Sequence, residues 1–481
     1  MQDGQPQRKK NTGKNDVPAT KADSRPNTSY PDLWGASAQI PRHAHRERVF
    51  NLAFDASGND WMASASEANE VKLWNVASTG IAPILSTTLS HKAEVLRVAW
   101  GQHQGKGADG VPKDHQSSWL ATGSAAGGVR VYFVSSEQGS DEDEEGNSCE
   151  AASASTTATL VTEFDHPEEG QQIYALQWMD NDIDERDAKR LLLTAADDKV
   201  FFWDLETQSV TTKWSFEQLP PEQDKEESSS TVYGGTNRNP GGMCYVFDAT
   251  VGRLYPGQSS DVVCLALSDG SVRVLDRRAG EAVATVRGVN GSHLTALCLS
   301  AEEGILLACE GKGNVVAYDT RTFSVRAVLE GCGRPVFGAA VVPRGLAKEH
   351  VLTERRKEVP IVMTWSTDTC LRFYELGVDN AMMRHVVQHQ NFPIYTAAFS
   401  PGQGRRLVLG GGMGMPEPHN SHSLVHKGEK RREGGGEEEG GGVTSCSHGA
   451  EDEHHHHPPH HHNNAGETVV PSSLLSYQFS K

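Results

Sequence analysis

Long hydrophobic runs are missing from this 481-residue chain: no apolar stretch approaches the roughly 20 residues that a membrane helix requires. Its opening, Met-Gln-Asp-Gly-Gln-Pro, is polar and shows no signal-peptide pattern, so a soluble intracellular protein is expected. Cysteine is sparse, with eight residues and no C-x-x-C pair, which removes the usual zinc and dithiol motifs. Several cysteines fall in apolar strand-like runs such as Val263-Cys264-Leu265. A free thiol there acts as a small buried hydrophobe, and the expected compartment is cytoplasm or nucleus rather than an oxidising one. No Gly-x-Ser-x-Gly motif is present, and Gly410-Gly-Gly-Met-Gly414 has neither the lysine nor the following helix of a phosphate loop. Hydrophobic residues make up only 37% and mean hydropathy is -0.51, so sizeable polar insertions must interrupt whatever core the chain builds.

Positive charge is also in deficit, with a formal net charge of -18. The deficit is local. Residues 137–150 carry -7, 180–189 carry -3 and 217–227 carry -4, leaving the rest of the chain near balance. A broad basic face for nucleic acid is therefore not expected. The N-terminal residues 1–29 form the exception, a basic tail at +3 with Arg8-Lys9-Lys10 and Lys14, expected to be disordered and readable as an import signal or an ordinary tail.

What is present is a phrase that returns seven times: a β-branched residue or leucine, two variable positions, then an aromatic or large apolar residue. Its copies end at Trp74, Tyr132, Trp203, Leu275, Tyr318, Tyr374 and Tyr477. Each is preceded by an apolar strand, such as Trp61-Met-Ala-Ser-Ala-Ser66, and further upstream by a strand alternating at period two, such as Val49 to Phe54; in the fourth unit that strand is expected over Met243 to Phe247. A fourth strand follows most copies, as at Ala282 to Arg287. One such unit cannot bury its apolar face alone, so seven of them predict an all-β propeller of four-stranded blades over residues 30–481. The last unit runs out of chain before its fourth strand, and Asp32 to Ile40 is expected to supply it and close the ring. Insertions at 135–156 and 415–466, the latter with Glu437-Glu-Glu and two histidine clusters at 454–457 and 460–462, are expected to be disordered. The histidine tract lacks a rigid scaffold, and no metal or other cofactor is expected.

On Trp203-Asp204 and on the turn-plus-strand phrases Ser268-Asp-Gly-Ser-Val-Arg-Val-Leu-Asp276 and Ser366-Thr-Asp-Thr-Cys-Leu-Arg-Phe-Tyr-Glu375, the chain resembles the WD-repeat family. The resemblance implies a seven-bladed propeller in which a turn aspartate bonds within its own blade, a place matched by Asp197, Asp269 and Asp368. Ala68, Ala126 and Lys312 stand there in blades one, two and five, which are expected to be weakly capped. The histidine that opens a blade is matched by His91 and His166.

Asp-x-Arg follows the third strand in two consecutive blades, as Asp276-Arg277-Arg278 and Asp319-Thr320-Arg321. In WD-repeat substrate receptors of cullin-RING ubiquitin ligases an arginine at this place looks toward the ligase adaptor. The resemblance therefore implies an adaptor contact through Asp276, Arg278, Asp319 and Arg321. A guanidinium suits it, because it bonds carboxylates and carbonyls in a fork that lysine does not reproduce. The plainer reading of both arginines is a solvated blade edge. Arg277-Arg278 is similar to the paired arginines of phosphoinositide-binding propellers, but Asp276 before and Ala279 after break that pattern, and no membrane contact is expected.

The acidic run Asp141, Glu142, Asp143, Glu144 and Glu145 reads either as a self-repelling solvated loop or as a contact for basic proteins. The sequence thus predicts a non-enzymatic scaffold for protein partners, in its sharper form a cullin-RING substrate receptor. The alternatives are a nuclear histone chaperone or chromatin-assembly subunit that uses the acidic loop, and a propeller enzyme whose site converges on the central channel.

Overall fold

The structure, a computed structural model, describes residues 37–39, 41, 43–56, 60–76, 83–101, 117–137, 155–167, 171–179, 191–216, 244–258, 262–276, 281–344, 346, 359–377, 380–388, 393–401, 406–412 and 473–479. These residues fold into seven antiparallel four-stranded sheets. The innermost strand of each sheet touches the innermost strand of the next, and the seventh touches the first, so the sheets are the blades of a closed seven-bladed β-propeller. This is the architecture that the seven returning phrases predict. No described helix is long and apolar enough to cross a membrane.

The core of this fold lies between blades rather than within one. Seven apolar clusters form among the described residues, each drawn from two adjacent blades; Leu254, Val272 and Val274 of blade four, for example, meet Leu294, Leu306 and Tyr318 of blade five. Because both faces of a blade meet a neighbour, the second strand is buried at all six positions in Trp61–Ser66, Leu191–Ala196, Val262–Leu267, Ile305–Glu310, Ile361–Ser366 and Arg406–Gly411. That explains why these strands read as continuous small-and-apolar runs without alternation. The fourth strand faces solvent, and Ser209–Ser215 is exposed at nearly every position.

Closure occurs as the sequence predicts. Ser37–Gln39 pairs antiparallel with Leu474–Gln478, Ala38 opposite Tyr477, and becomes the outer strand of blade seven. Ser473 then ties the seventh blade to the first by donating its hydroxyl to the carbonyl of His45, 2.5 Å away. Two boundaries differ from expectation. The innermost strand of blade four is Val246–Gly252, displaced toward the C-terminus from the expected 243–247, and Val246 takes the buried place that opens every other innermost strand. In blade two the outer hairpin extends to Glu137 paired with Ser155, so residues 135–137 and 155–156, expected within an insertion, are ladder residues. The N-terminal tail and the histidine tract lie outside the described residues.

Hydrogen bonds pin the aromatic residue that ends the returning phrase in blades one, three, five and six. In blade one the Trp74 indole donates to Ser64 Oγ at 2.8 Å, Ser64 meets His45 Nε2 at 2.6 Å, and His45 Nδ1 meets Glu70 at 2.8 Å. Blade one is therefore capped by Glu70, from the start of the third strand, despite Ala68 in the turn, and its opening histidine is His45, which the sequence reading missed. Blade three repeats the indole bond from Trp203 to Thr194 at 2.8 Å. In blades five and six tyrosine replaces tryptophan, and the longer reach of its hydroxyl carries the bond to a main-chain carbonyl instead: Tyr318 to Arg287 at 2.9 Å and Tyr374 to Glu330 at 2.8 Å.

His91 opens blade two as expected, with Nε2 2.9 Å from Thr122 Oγ1 and Nδ1 3.1 Å from the Leu89 carbonyl. A carbonyl accepts only from N–H, so the neutral tautomer with its proton on Nδ1 satisfies both contacts. Burial pushes the His91 pKa down to about 4, and burial likewise lowers that of His45. Between pH 6.5 and 4 the unfolded chain thus takes up protons that the fold refuses, and stability falls as pH falls through this window. The slope is about 1.4 kcal/mol per pH unit for each such proton. Thermal melts at pH 7 and pH 5 should show a lower midpoint at pH 5, and His91→Gln should reduce the difference. A midpoint that does not move would contradict the buried neutral state.

Candidate functional site

A propeller has two ends, and the Asp-x-Arg phrase lies at the one where connections leave the first and third strands. In blade five its three residues divide the work. Asp319 shapes the turn: its Oδ1 accepts the main-chain N–H of Arg321 and of Thr322, both at 2.9 Å, and the Thr322 hydroxyl at 3.1 Å. The Thr322 and Arg321 N–H bonds hold this carboxyl below the usual carboxylate range. Thr320 is buried and donates its hydroxyl to the Leu254 carbonyl of blade four at 2.6 Å, locking the turn onto its neighbour. Arg321 alone faces outward, its Cζ 5.9 Å from the ring centre of the exposed Tyr255.

Blade three separates the roles. Asp204 accepts the N–H groups of Glu206 at 2.9 Å and Thr207 at 3.3 Å, the same kind of turn, in a blade where Leu205 and Glu206 follow and no arginine does. The aspartate is therefore needed for the turn, whereas the arginine is not. Asp276 ends the third strand of blade four in register with Glu281. Arg278 lies outside the described residues, so of the expected arginine pair the structure places Arg321.

The turn aspartates sit in turns of two lengths. Asp269 accepts Ser271 N–H at 2.9 Å and lies 3.5 Å from Arg273, and Asp368 accepts Cys370 N–H at 3.1 Å and holds Arg372 through both carboxylate oxygens, at 3.1 and 2.6 Å. Both act within their own blade, as the resemblance implies. Asp197 sits in a two-residue turn with left-handed backbone, φ 48°, and its carbonyl accepts the Val246 N–H of the next blade at 2.7 Å. The acidic run 141–145 lies outside the described residues, in the connection between the strands Gly128–Glu137 and Ser155–Asp165.

The opposite end of the ring carries a feature that the sequence reading missed. In all seven blades the innermost strand has one extra residue just after its first buried position, and those residues are Phe50, Leu96, Tyr174, Phe247, Thr295, Phe337 and Tyr395. Each bulged residue is left out of the ladder, at the end of the ring where the innermost strands begin. Five of the seven are aromatic, and they meet edge to face in two arcs: Phe337 to Tyr395 at 5.3 Å and on to Phe50 at 6.5 Å, then Tyr174 to Phe247 at 5.8 Å and on to His293 at 5.8 Å. The signal was available as an aromatic recurring directly after Val49, Ile173, Val246, Val336 and Ile394, but it needs the strand boundary to be seen.

One residue further in, the side chains stitch the ring together. Asn51 accepts Val98 N–H at 3.0 Å, Asp248 accepts Leu297 N–H at 2.9 Å and Thr396 accepts Leu52 N–H at 3.2 Å, each bond crossing to the next blade. Loss of water pushes the Asp248 carboxyl up, against the field of Arg97. Arg97, the equivalent residue of blade two, does something different: it passes blade three and reaches the Phe247 carbonyl of blade four at 3.4 Å.

Compared with known proteins, the chain matches no family model and no curated protein sequence. Among solved structures it is similar to the WD40 β-propeller domain of Doa1, with 12% sequence identity over 78% of this chain and 94% of that one, and a TM-score of 0.48.

Proposed function

We propose that this propeller is a non-enzymatic scaffold for protein partners, and that in its sharper form it is a cullin-RING substrate receptor whose adaptor docks at the end carrying Arg321. The observation that carries the reading is the division of labour in Asp319-Thr320-Arg321. Two of the three residues are consumed in fixing a turn, and the third is a guanidinium held out over Tyr255 with no part in making that turn. A pre-positioned arginine beside an exposed aromatic is the kind of pair that anchors protein interfaces. Such a role belongs to the cytoplasm or nucleus, in keeping with the buried free thiols of Cys264 and Cys309.

The test is recovery of the adaptor on tagged full-length protein, wild type against Arg321→Ala and against Arg321→Ala with Arg278→Ala. Recovery is expected to drop at least tenfold, the scale of about 1.4 kcal/mol or more for an interface arginine. Equal recovery from all three proteins, or none from the wild type, would remove the ligase reading and leave only the general scaffold.

A further inference from the structure

We infer that the aromatic channel mouth, at the end opposite Arg321, is a docking site for a peptide segment that presents one carboxylate side chain flanked by apolar residues. Arg97 supplies the reason for the carboxylate. A guanidinium has five N–H donors, and the partners of Arg97 among the described residues are two main-chain carbonyls, Leu96 at 3.1 Å and Phe247 at the long distance of 3.4 Å. Three other arginines of the blades pair with carboxylates: Arg48 with Glu67, Arg130 with Glu163 at 2.9 Å, Arg372 with Asp368 at 2.6 Å. Arg97 does not; the nearby Asp248, whose carboxyl lies in the field of Arg97, accepts the Leu297 N–H of the adjoining blade through Oδ2.

Arg97 is also partly exposed, so it is reachable while its surroundings are less polar than water, the condition under which a charge-assisted pair is strongest. The two aromatic arcs supply the reason for the apolar flanks. Phe50, Tyr174, Phe247 and Tyr395 are half-buried and Phe337 is 38% exposed, so accessible rings stand on the innermost strands of the blades to both sides of the arginine's own. Rings held in place by a bulge in each strand lose little freedom when a partner side chain packs on them. A lysine or arginine of the partner would meet the Arg97 charge at short range and is disfavoured by it.

The experiment selects a displayed library of random peptides on immobilised full-length protein. Wild type is expected to enrich Asp or Glu at one position about tenfold, with apolar residues beside it. Arg97→Gln should lose the acidic preference and keep the apolar one, whereas Phe337→Ser combined with Tyr395→Ser should lose both. Arg321→Ala, at the other end of the ring, should change neither, which keeps this outcome separate from that of the adaptor reading. Thermal melts establish that each variant is folded. Should Arg97→Gln fail to fold, elution of bound phage from the wild type by a selected acidic peptide, against the same peptide with Asn or Gln, gives the answer. No acidic enrichment, an enrichment of basic residues, survival of the acidic preference in Arg97→Gln, or equal elution by both peptides would each overturn the inference.

Discussion

Trp74→Ala is expected to lower the stability of the full-length propeller by about 3–5 kcal/mol, the range for deleting a fully buried large aromatic from a core that relaxes only in part. Trp74 is 0% exposed and packs in the cluster that joins blade one to blade seven, with Val49, Met62, Val408 and Leu474. Its removal would open a cavity at that junction and would also strip Ser64 of the indole bond. The two contributions separate experimentally. Trp74→Phe keeps most of the volume and loses the N–H, and Ser64→Ala keeps the volume and orphans both the indole N–H and His45 Nε2, at a cost of about 1–3 kcal/mol for the buried groups left unsatisfied. Denaturant unfolding followed by tryptophan fluorescence and circular dichroism gives the ordering Trp74→Ala worst, the other two milder. A loss under about 1 kcal/mol for Trp74→Ala would mean that the seam between blades one and seven contributes little to the cooperative unit.

Removal of residues 1–40 should have the second large effect, and of a different kind. It deletes Ser37–Gln39, the outer strand of blade seven, and bares the edge of Leu474–Gln478. Each ladder bond contributes about 1 kcal/mol net, but the greater consequence is an unpaired strand edge that offers its N–H and C=O groups to another chain. A lower melting midpoint together with concentration-dependent self-association by light scattering is expected. A synthetic peptide spanning 30–40, added in excess, should restore both. A truncated protein that stays monomeric with an unchanged midpoint would show that the seventh blade holds without its closing strand.

Much of this molecule is legible from its residues because a propeller is a local repeat. Strand, turn, strand is written within each unit, and the position ending at Trp74, Tyr132 or Tyr318 is visible without knowing what it touches. Closure was legible for the same reason, since a unit lacking its fourth strand must find one. The functional features divide differently. Asp319-Thr320-Arg321 was readable as a phrase, yet its Asp and Thr turn out to serve the turn and the blade interface, and the contrast with Asp204 is what singles out the arginine. His45 was missed because its partners, Ser64 and Glu70, lie 19 and 25 residues away and are ordinary residues in sequence. Asp197 matched its expected turn position, but that turn is shorter by one residue than those holding Asp269 and Asp368.

The sequence by itself determined the all-β class, the number of blades, the way the ring closes and the concentration of charge in the insertions. These follow from periodicity, composition and short-range turn chemistry, which act within one unit. Only the tertiary structure decided that five bulged aromatics converge on one channel mouth, that Asn51, Asp248 and Thr396 stitch neighbouring blades, and that Arg97 crosses from blade two to blade four. These relations join residues as far apart as 344 positions in the chain, and they exist only once seven separate strands have been brought around one axis.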